Sequence, residues 1–490
     1  MLFDDMIFKS PYTKPAFFLY ILIHFTILNT KPGLEKAGVI TMLKKGFQVT
    51  MMIFCLSLAA CAPKQITKDC DLPGIWVETE EVNSSITPII QIDGTPSMQG
   101  FVTIPTSRYI RTLRLIDTVV TTAFANSQPP QYYRFGMARS RFTDESSSLS
   151  AQKPWFYDRT LEKLLDADLD VAIAPVEGNP REQISIIIVD LYQQDGEIAR
   201  VLNSLRVNYL EKGLAVGILA VKSEFDGIVY DIGLNNESVQ YRTTQNQPEG
   251  FQPFYVLVLS TYENVAHFFD RIKTASQSEG LNFTDDKFVI FYPRFLSEPL
   301  RLNIDPNPGN FNNVDGIRRL HTINDGNVMV SVGDRQTTEI LMLTNPNSQD
   351  KKIPYQIPYQ GLPYLLPIND IQVEVSPSIY NSEDRSFVPF NPNPIQFHNW
   401  NIDGNKLNFD INFNTRVMTS GVYWFTVDLS PKSLQSPPWW TEWNLRENEP
   451  FKGGTTYNLW PFMENLKKLN LELHQDTGMG RLCYLLHQNF

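Results

Sequence analysis

From residue 85 onward, short apolar segments alternate with longer amphipathic ones. The segment "ISIIIVD" (184–190) is apolar on both faces, as strands buried inside a sheet are, and "IIQI" (89–92) is a shorter strand of that kind. Between them, "TSRYIRTLRLIDTVVTTAF" (106–124) places its apolar residues at helical spacing. This alternation predicts an α/β fold over residues 85–295, with a mostly parallel, doubly wound sheet and helices on both faces.

After about residue 300 the pattern changes to strict alternation. In "KLNFDINFN", Leu407, Phe409, Ile411 and Phe413 fall on one face of a strand. Several such strands separated by Asn- and Pro-rich turns predict an antiparallel β-sandwich-like domain over 300–445. Residues 446–490 are expected to form a helical segment that closes the chain.

The N-terminal region reads as a targeting segment. Residues 42–61, "MLKKGFQVTMMIFCLSLAAC", resemble a bacterial lipoprotein signal peptide with the lipobox "LAAC". The resemblance implies a signal peptide over 42–60, acylation of Cys61 and a tether over 61–84. Residues 1–41 are then an over-extended start, or alternatively a membrane segment. These features predict a cell-envelope protein that is lipid-anchored to a membrane and faces the periplasm or the outer surface.

Charge and cysteine content narrow the function further. The formal net charge of −11 disfavours nucleic acid as a partner, because like charges repel. The chain has four cysteines. The lipoprotein resemblance implies that Cys55 leaves with the signal peptide and that Cys61 takes lipid. The remaining pair, Cys70 and Cys483, either forms a disulfide in an oxidising compartment or stays as two separate thiols.

The stretch "QIDGTPSMQG" (91–100) carries three oxygen-bearing side chains at alternate positions, Asp93, Thr95 and Ser97. Asp93 stands at the end of one predicted strand and Asp190 at the end of another. Because parallel strands end at the same edge of a sheet, these two aspartates are expected at one edge.

The stretch resembles the Asp-x-Ser-x-Ser motif of von Willebrand factor A domains, with threonine at the middle position. The resemblance implies a metal-ion-dependent adhesion site in which Mg²⁺, or Mn²⁺, is held by Asp93, Thr95, Ser97, Thr160 and Asp190. Hard oxygen ligands suit Mg²⁺. A hydroxyl-rich shell leaves the ion short of negative charge, so the implied partner is a protein ligand that offers a carboxylate.

Several alternatives remain open. Thr143 could serve in place of Thr160, and Glu224 or Asp226 could approach the ion. The β-methyl of threonine at position 95 restricts its rotamer, which puts full metal affinity in doubt.

"IDGT" also resembles the turn of haloacid dehalogenase-like phosphatases, which would make the protein a metal-dependent phosphoester hydrolase. Gln91 occupies the position of their nucleophilic aspartate and cannot form an aspartyl-phosphate. A structural envelope protein with a degenerate metal site is a third interpretation. The sequence therefore favours a binding protein over an enzyme.

Overall fold

A computed structural model of the chain describes residues 64–489 except 73–80, 83–84, 125–127, 143–146, 159–163, 165, 193–194, 233–236, 245, 304–315, 326–327, 345–350, 447–448 and 476–477. The predicted signal peptide, Cys61, Thr143 and Thr160 lie outside the described residues. Among the described residues, no helix is long and apolar enough to cross a membrane.

The described strands, in chain order, are β1 (Lys64–Lys68), β2 (Thr87–Asp93), β3 (Gln131–Phe135), β4 (Arg139–Phe142), β5 (Gln183–Val189), β6 (Ala215–Ser223), β7 (Asp226–Ile232), β8 (Glu237–Arg242), β9 (Gln252–Ser260), β10 (Phe288–Phe291), β11 (Ile317–Arg319), β12 (Ile323–Asp325), β13 (Val328–Val332), β14 (Thr338–Leu343), β15 (Lys351–Pro358), β16 (Ile368–Asn381), β17 (Ser386–Pro389), β18 (Ile395–Asp403), β19 (Lys406–Phe413), β20 (Gly421–Leu434), β21 (Asn444–Leu445), β22 (Thr456–Tyr457) and β23 (Gly480–Gln488). The described α-helices are α1 (Arg108–Ala123), α2 (Ser147–Ser150), α3 (Leu169–Ile173), α4 (Asp195–Asn208), α5 (Tyr262–Ser278), α6 (Trp439–Glu442) and α7 (Leu459–Gln475).

The first sheet has seven strands in the order β10-β6-β9-β5-β2-β3-β4. Only β2 pairs in parallel, with β3 on one side and β5 on the other. The pairs β3–β4, β5–β9, β6–β9 and β6–β10 are antiparallel. The prediction of a mostly parallel, doubly wound sheet is therefore wrong, and strands outweigh helices, at 41% against 27%.

Strand β9 accounts for much of this difference. The chain leaves β6, forms the antiparallel hairpin β7–β8, and returns as β9 between β6 and β5. Every residue of β9 is buried, so its sequence looks like that of a central parallel strand. Burial on both faces shows that a strand is central, but it carries no information about strand direction.

The second half of the chain contributes a six-stranded sheet, β11-β14-β23-β20-β16-β17, and a three-stranded sheet, β15-β19-β18. The three-stranded sheet is antiparallel. Strand β19 shows the predicted alternation, with Leu407, Phe409, Ile411 and Phe413 buried. The six-stranded sheet is mixed, because β14 pairs with β23 in parallel. A purely antiparallel sandwich does not describe this half, because the last strand of the chain enters the sheet between β14 and β20.

The two halves share one hydrophobic cluster. It joins Val189 and Leu257 of the first sheet to Phe409 and Tyr484 of the second half. Residues 65–325 and 329–490 accordingly form one compact unit, and the other unit includes only Lys64 and Val328 among its described residues. Cys70 and Cys483 form a disulfide bond that ties the start of the described chain to β23.

Candidate metal site

Asp93 and Asp190 lie at the same edge of the first sheet. Strands β2 and β5 run parallel in register, with Ile92 opposite Ile188, so their carboxyl ends coincide. Asp93 is the last residue of β2, and Asp190 directly follows β5. Burial raises the pKa of Asp93 to about 8, and the negative charge of Asp190 contributes to the shift. The two carboxyl groups are therefore electrostatically coupled like charges.

The turn after β2 orders the neighbouring hydroxyl groups. The Thr95 backbone N–H donates to Asp93 Oδ1 at 2.8 Å, and the hydroxyl oxygens of Thr95 and Ser97 are 3.0 Å apart. Thr95 is the N-cap of a 3-10 helix, Pro96–Phe101. Gly94 N–H donates to Phe135 O at 2.8 Å, which fastens the turn to β3. Side chains at alternate positions are thus grouped on one turn, as the motif predicts.

One carboxylate oxygen in this group has no hydrogen-bond partner. Asp93 is 0% exposed, and its Oδ2 atom is buried without a hydrogen bond to any described residue. Asp190 is 7% exposed and accepts a hydrogen bond from Tyr192 N at 3.4 Å. The leading influences on the pKa of Asp93 include a second like charge, Asp166, and no cation. A buried acidic oxygen in this state requires either a proton or a cation.

The edge is partly covered by the C-terminal region. Tyr192 Oη donates to Thr455 O at 2.7 Å, and Gln252 Nε2 donates to the same carbonyl oxygen at 2.9 Å. The hydroxyls of Tyr255 and Thr456 are 3.0 Å apart. Asp93, Thr95 and Asp190 are buried, whereas Ser97 is half-buried. A ligand would therefore reach this edge from the Ser97 side.

The other acidic candidates are engaged elsewhere. Glu224 Oε2 accepts from the backbone N–H of Arg108 at 2.7 Å, at the N-terminus of α1. Asp226 Oδ2 lies 3.3 Å from Arg242 Nε. These contacts give both carboxylates structural roles.

Gln91 is held by three polar groups. Its Nε2 atom donates to Ala172 O at 2.7 Å and to Ser185 Oγ at 2.8 Å, and its Oε1 atom accepts from Arg139 Nη1 at 3.3 Å. The amide is 0% exposed. The position that corresponds to the phosphatase nucleophile is thus a buried, hydrogen-bonded amide.

The donor set fits a hard divalent cation. Among the described residues, no group of three or more His, Cys, Asp and Glu side chains is placed to hold a metal ion. The set here consists instead of two carboxylates and two hydroxyls, which are oxygen donors of the kind that Mg²⁺ and Mn²⁺ accept. The unpartnered Asp93 Oδ2 is an available ligand atom.

Compared with protein families, curated proteins and solved structures, the chain matches none of them. The resemblance to the von Willebrand adhesion motif therefore rests on the residues themselves, and the function that it implies stays a prediction.

Arg134, which the sequence interpretation did not single out, lies beside the turn. A Cβ atom on Gly94 would stand 2.5 Å from both Cγ and Nε of Arg134. Arg134 is 7% exposed, and its guanidinium lies over the ring of Phe156 with Cζ 4.8 Å from the centroid. An arginine inside the apolar strand "YYRFG" was the available signal, because arginine is rarely buried without a partner.

Two buried tyrosines lie within the electrostatic reach of the same edge. Tyr157 Oη donates to Ala151 O at 2.7 Å, so the 3.0 Å contact between the two hydroxyls has Tyr109 as its donor. Burial raises the pKa of Tyr109, and the charges of Tyr157, Asp93 and Asp190 add to the shift. Both phenols therefore remain neutral near pH 7 and act as packing and hydrogen-bonding groups.

Proposed function

We propose that the protein is a lipid-anchored cell-envelope protein that binds a divalent cation, Mg²⁺ or Mn²⁺, and uses it to bind a carboxylate of a protein partner. Asp93, Ser97 and Asp190 are the principal metal ligands, and Thr95 and Thr160 complete the set. The observation that carries this proposal is the pair of like charges Asp93 and Asp190, with no described residue hydrogen-bonded to Asp93 Oδ2.

The pair supports cation binding for an electrostatic reason. Two carboxylates held at one buried edge repel each other, and a divalent ion between them would neutralise both charges. The neighbouring hydroxyls supply neutral oxygen ligands and leave the ion with affinity for a further anion. A carboxylate from a partner fits this requirement.

A structural protein with a degenerate metal site is the second candidate. The complete burial of Asp93 favours it, because a proton on Asp93 neutralises the pair as a metal ion would. The packing of residues 455–456 at this edge also limits access. In this interpretation the edge contributes to the joint between the two halves of the chain.

Mn²⁺ binding to the purified, detergent-solubilised full chain distinguishes the candidates, with free Mn²⁺ followed by electron paramagnetic resonance at pH 8. We expect saturable binding of one ion per chain, displacement by Mg²⁺, and loss of binding in Asp93→Asn. Asp370→Asn is the matched control, since Asp370 pairs with Lys432 on the surface. Absence of saturable binding, or full binding by Asp93→Asn, would refute the metal site and leave the structural candidate.

The anchor is tested separately by membrane fractionation. Cys61→Ser should move the protein from the membrane pellet to the soluble fraction, because the acyl chains hold it there. Cys55→Ser is the control, since the predicted signal peptide that contains it is removed. Unchanged pelleting of Cys61→Ser would exclude a lipid anchor at this residue.

A further inference from the structure

Arg134 of β3 is a buried cation with unused hydrogen-bonding capacity. The residue is 7% exposed, and its Nε and Nη2 atoms are buried without a hydrogen bond to any described residue. A buried guanidinium normally donates to a carboxylate, a carbonyl oxygen or a phosphate. Two vacant donors on one edge of the planar group form the fork that binds a carboxylate through both oxygens.

The surroundings fix this fork beside the candidate metal site. The ring of Phe156 lies beneath the guanidinium, with Cζ 4.8 Å from the ring centroid. The Nε and Cγ atoms also lie so close to Gly94 that a Cβ atom there would be 2.5 Å away. Gly94 stands between Asp93 and Thr95, so the arginine passes directly along the proposed metal-binding turn. A side chain larger than hydrogen at position 94 would displace it.

We propose that Arg134 is the second half of the partner-binding site and recognises the same carboxylate that the metal ion binds. Asp93, Ser97 and Asp190 would hold the ion, which would supply a positive charge for one oxygen of the carboxylate. The other oxygen accepts hydrogen bonds from Arg134 Nε and Nη2. This assignment rests on the proposed function, and it specifies the ligand class as an acidic side chain or a chain terminus of the partner.

The charges at the site are consistent with one carboxylate oxygen facing the ion and the other facing Arg134. The metal ion would offset the charges of the two aspartates, and Arg134 adds a positive charge whose Nε and Nη2 atoms donate to no described residue. A monoanionic carboxylate is thus bound by two positive centres. Burial of the fork removes competing water, which strengthens a charge-assisted hydrogen bond.

The experiment titrates acetate into the detergent-solubilised full chain, with and without saturating Mg²⁺, and follows binding by nuclear magnetic resonance of ¹³C-labelled acetate. We expect Mg²⁺ to increase the affinity of the wild-type chain for acetate. Arg134→Gln should weaken acetate binding by about tenfold or more in Mg²⁺, the scale of one lost charge-assisted pair. Its Mn²⁺ affinity should stay within a few-fold of wild type.

Two further variants test whether the effect of Arg134→Gln comes from misfolding or from the loss of any positive charge. Arg134→Lys keeps the charge but loses the planar fork, so its acetate affinity should also fall while its thermal unfolding shows a folded chain. Arg141→Gln removes an exposed charge from the neighbouring strand β4 and should leave acetate binding unchanged.

The outcomes separate this inference from the proposed function. Unchanged acetate affinity in Arg134→Gln, with Mn²⁺ binding intact, would overturn the role of Arg134 and leave the metal site standing. Arg134-dependent acetate binding in a chain that binds no metal would refute the metal site and overturn the inference that the ion and Arg134 share one carboxylate. If inorganic phosphate binds more tightly than acetate and depends on Arg134, the carboxylate assignment is wrong.

Discussion

Glu339 on β14 and Asp93 on β2 are both 0% exposed, yet their surroundings differ. Burial raises the pKa of each carboxyl group. At Glu339, Arg319 opposes the shift, and its Nε and Nη2 atoms donate to the two carboxylate oxygens at 2.5 and 3.0 Å. At Asp93 the nearby charges are the like charges of Asp190 and Asp166, and Oδ2 has no hydrogen-bond partner among the described residues.

The difference separates a structural ion pair from a candidate site. The Arg319–Glu339 pair satisfies both groups within the chain, so nothing further is required for its stability. At the edge of the first sheet, a carboxylate oxygen and two guanidinium nitrogens are each buried without a hydrogen bond to any described residue. Buried polar groups without hydrogen bonds cost free energy, so they mark the positions at which a ligand is expected to bind.

The largest expected effect concerns the Arg319–Glu339 ion pair. Arg319→Gln leaves Glu339 buried without its cation and should lower the free energy of unfolding by roughly 3–5 kcal/mol, measured by urea denaturation. Arg134→Gln is the contrasting variant, since Nε and Nη2 of Arg134 have no hydrogen-bond partner among the described residues. Its cost should be about 1 kcal/mol or less, from the lost contact with Phe156. Equal losses of unfolding free energy in Arg319→Gln and Arg134→Gln would show that both arginines have structural partners.

The next effect concerns metal addition. At pH 8, a divalent ion at about 100 times its dissociation constant should raise the free energy of unfolding by about 2.7 kcal/mol. Asp93→Asn should abolish this increase and Asp370→Asn should keep it, because only Asp93 is a proposed ligand. An equal response to Mg²⁺ in both variants would assign the stabilisation to another part of the chain.

Per pH unit, a smaller effect is expected from a change of pH in the presence of a chelator. The folded-state pKa of Asp93 is about 8 against an ordinary value of 3.8, so the folded chain retains a proton that the unfolded chain releases in between. Stability should therefore fall as the pH rises through this window, by at most about 1.4 kcal/mol per pH unit.

Asp93→Asn carries no titrating group at this position and should flatten the dependence between about pH 4 and 8, measured by urea denaturation at several pH values. A slope that is identical in the variant and the wild-type chain would show that Asp93 is not the group responsible.

The smallest effects concern the hydroxyls. Thr95→Ser removes the methyl group that restricts the rotamer and should raise Mn²⁺ affinity a few-fold, whereas Ser97→Ala should lower it. Both changes should alter the free energy of unfolding by less than about 1 kcal/mol. A lower Mn²⁺ affinity in Thr95→Ser together with an unchanged or higher affinity in Ser97→Ala, measured by Mn²⁺ titration, would contradict ligation by these side chains.

Much of the candidate site could be anticipated from the chain. Asp93 and Asp190 each follow a short apolar strand, and the parallel pairing of β2 with β5 brings both to one edge. The alternation in β19 likewise translated directly into buried and exposed faces. Thr160 lies outside the described residues, so its part in the site stays a prediction.

Strand direction and the mutual packing of distant segments were decided only by the tertiary structure. The insertion of β9 between β5 and β6 turned an expected parallel sheet into a mixed one. Hydrophobic periodicity records which side chains avoid water, and a central strand of either direction avoids it equally. The burial of Arg134 against Phe156 and Gly94, and the contact of Thr455 with Tyr192, join segments that are distant in sequence. Local sequence determines which faces are apolar, whereas the pairing of those faces depends on the free energy of packing the whole chain.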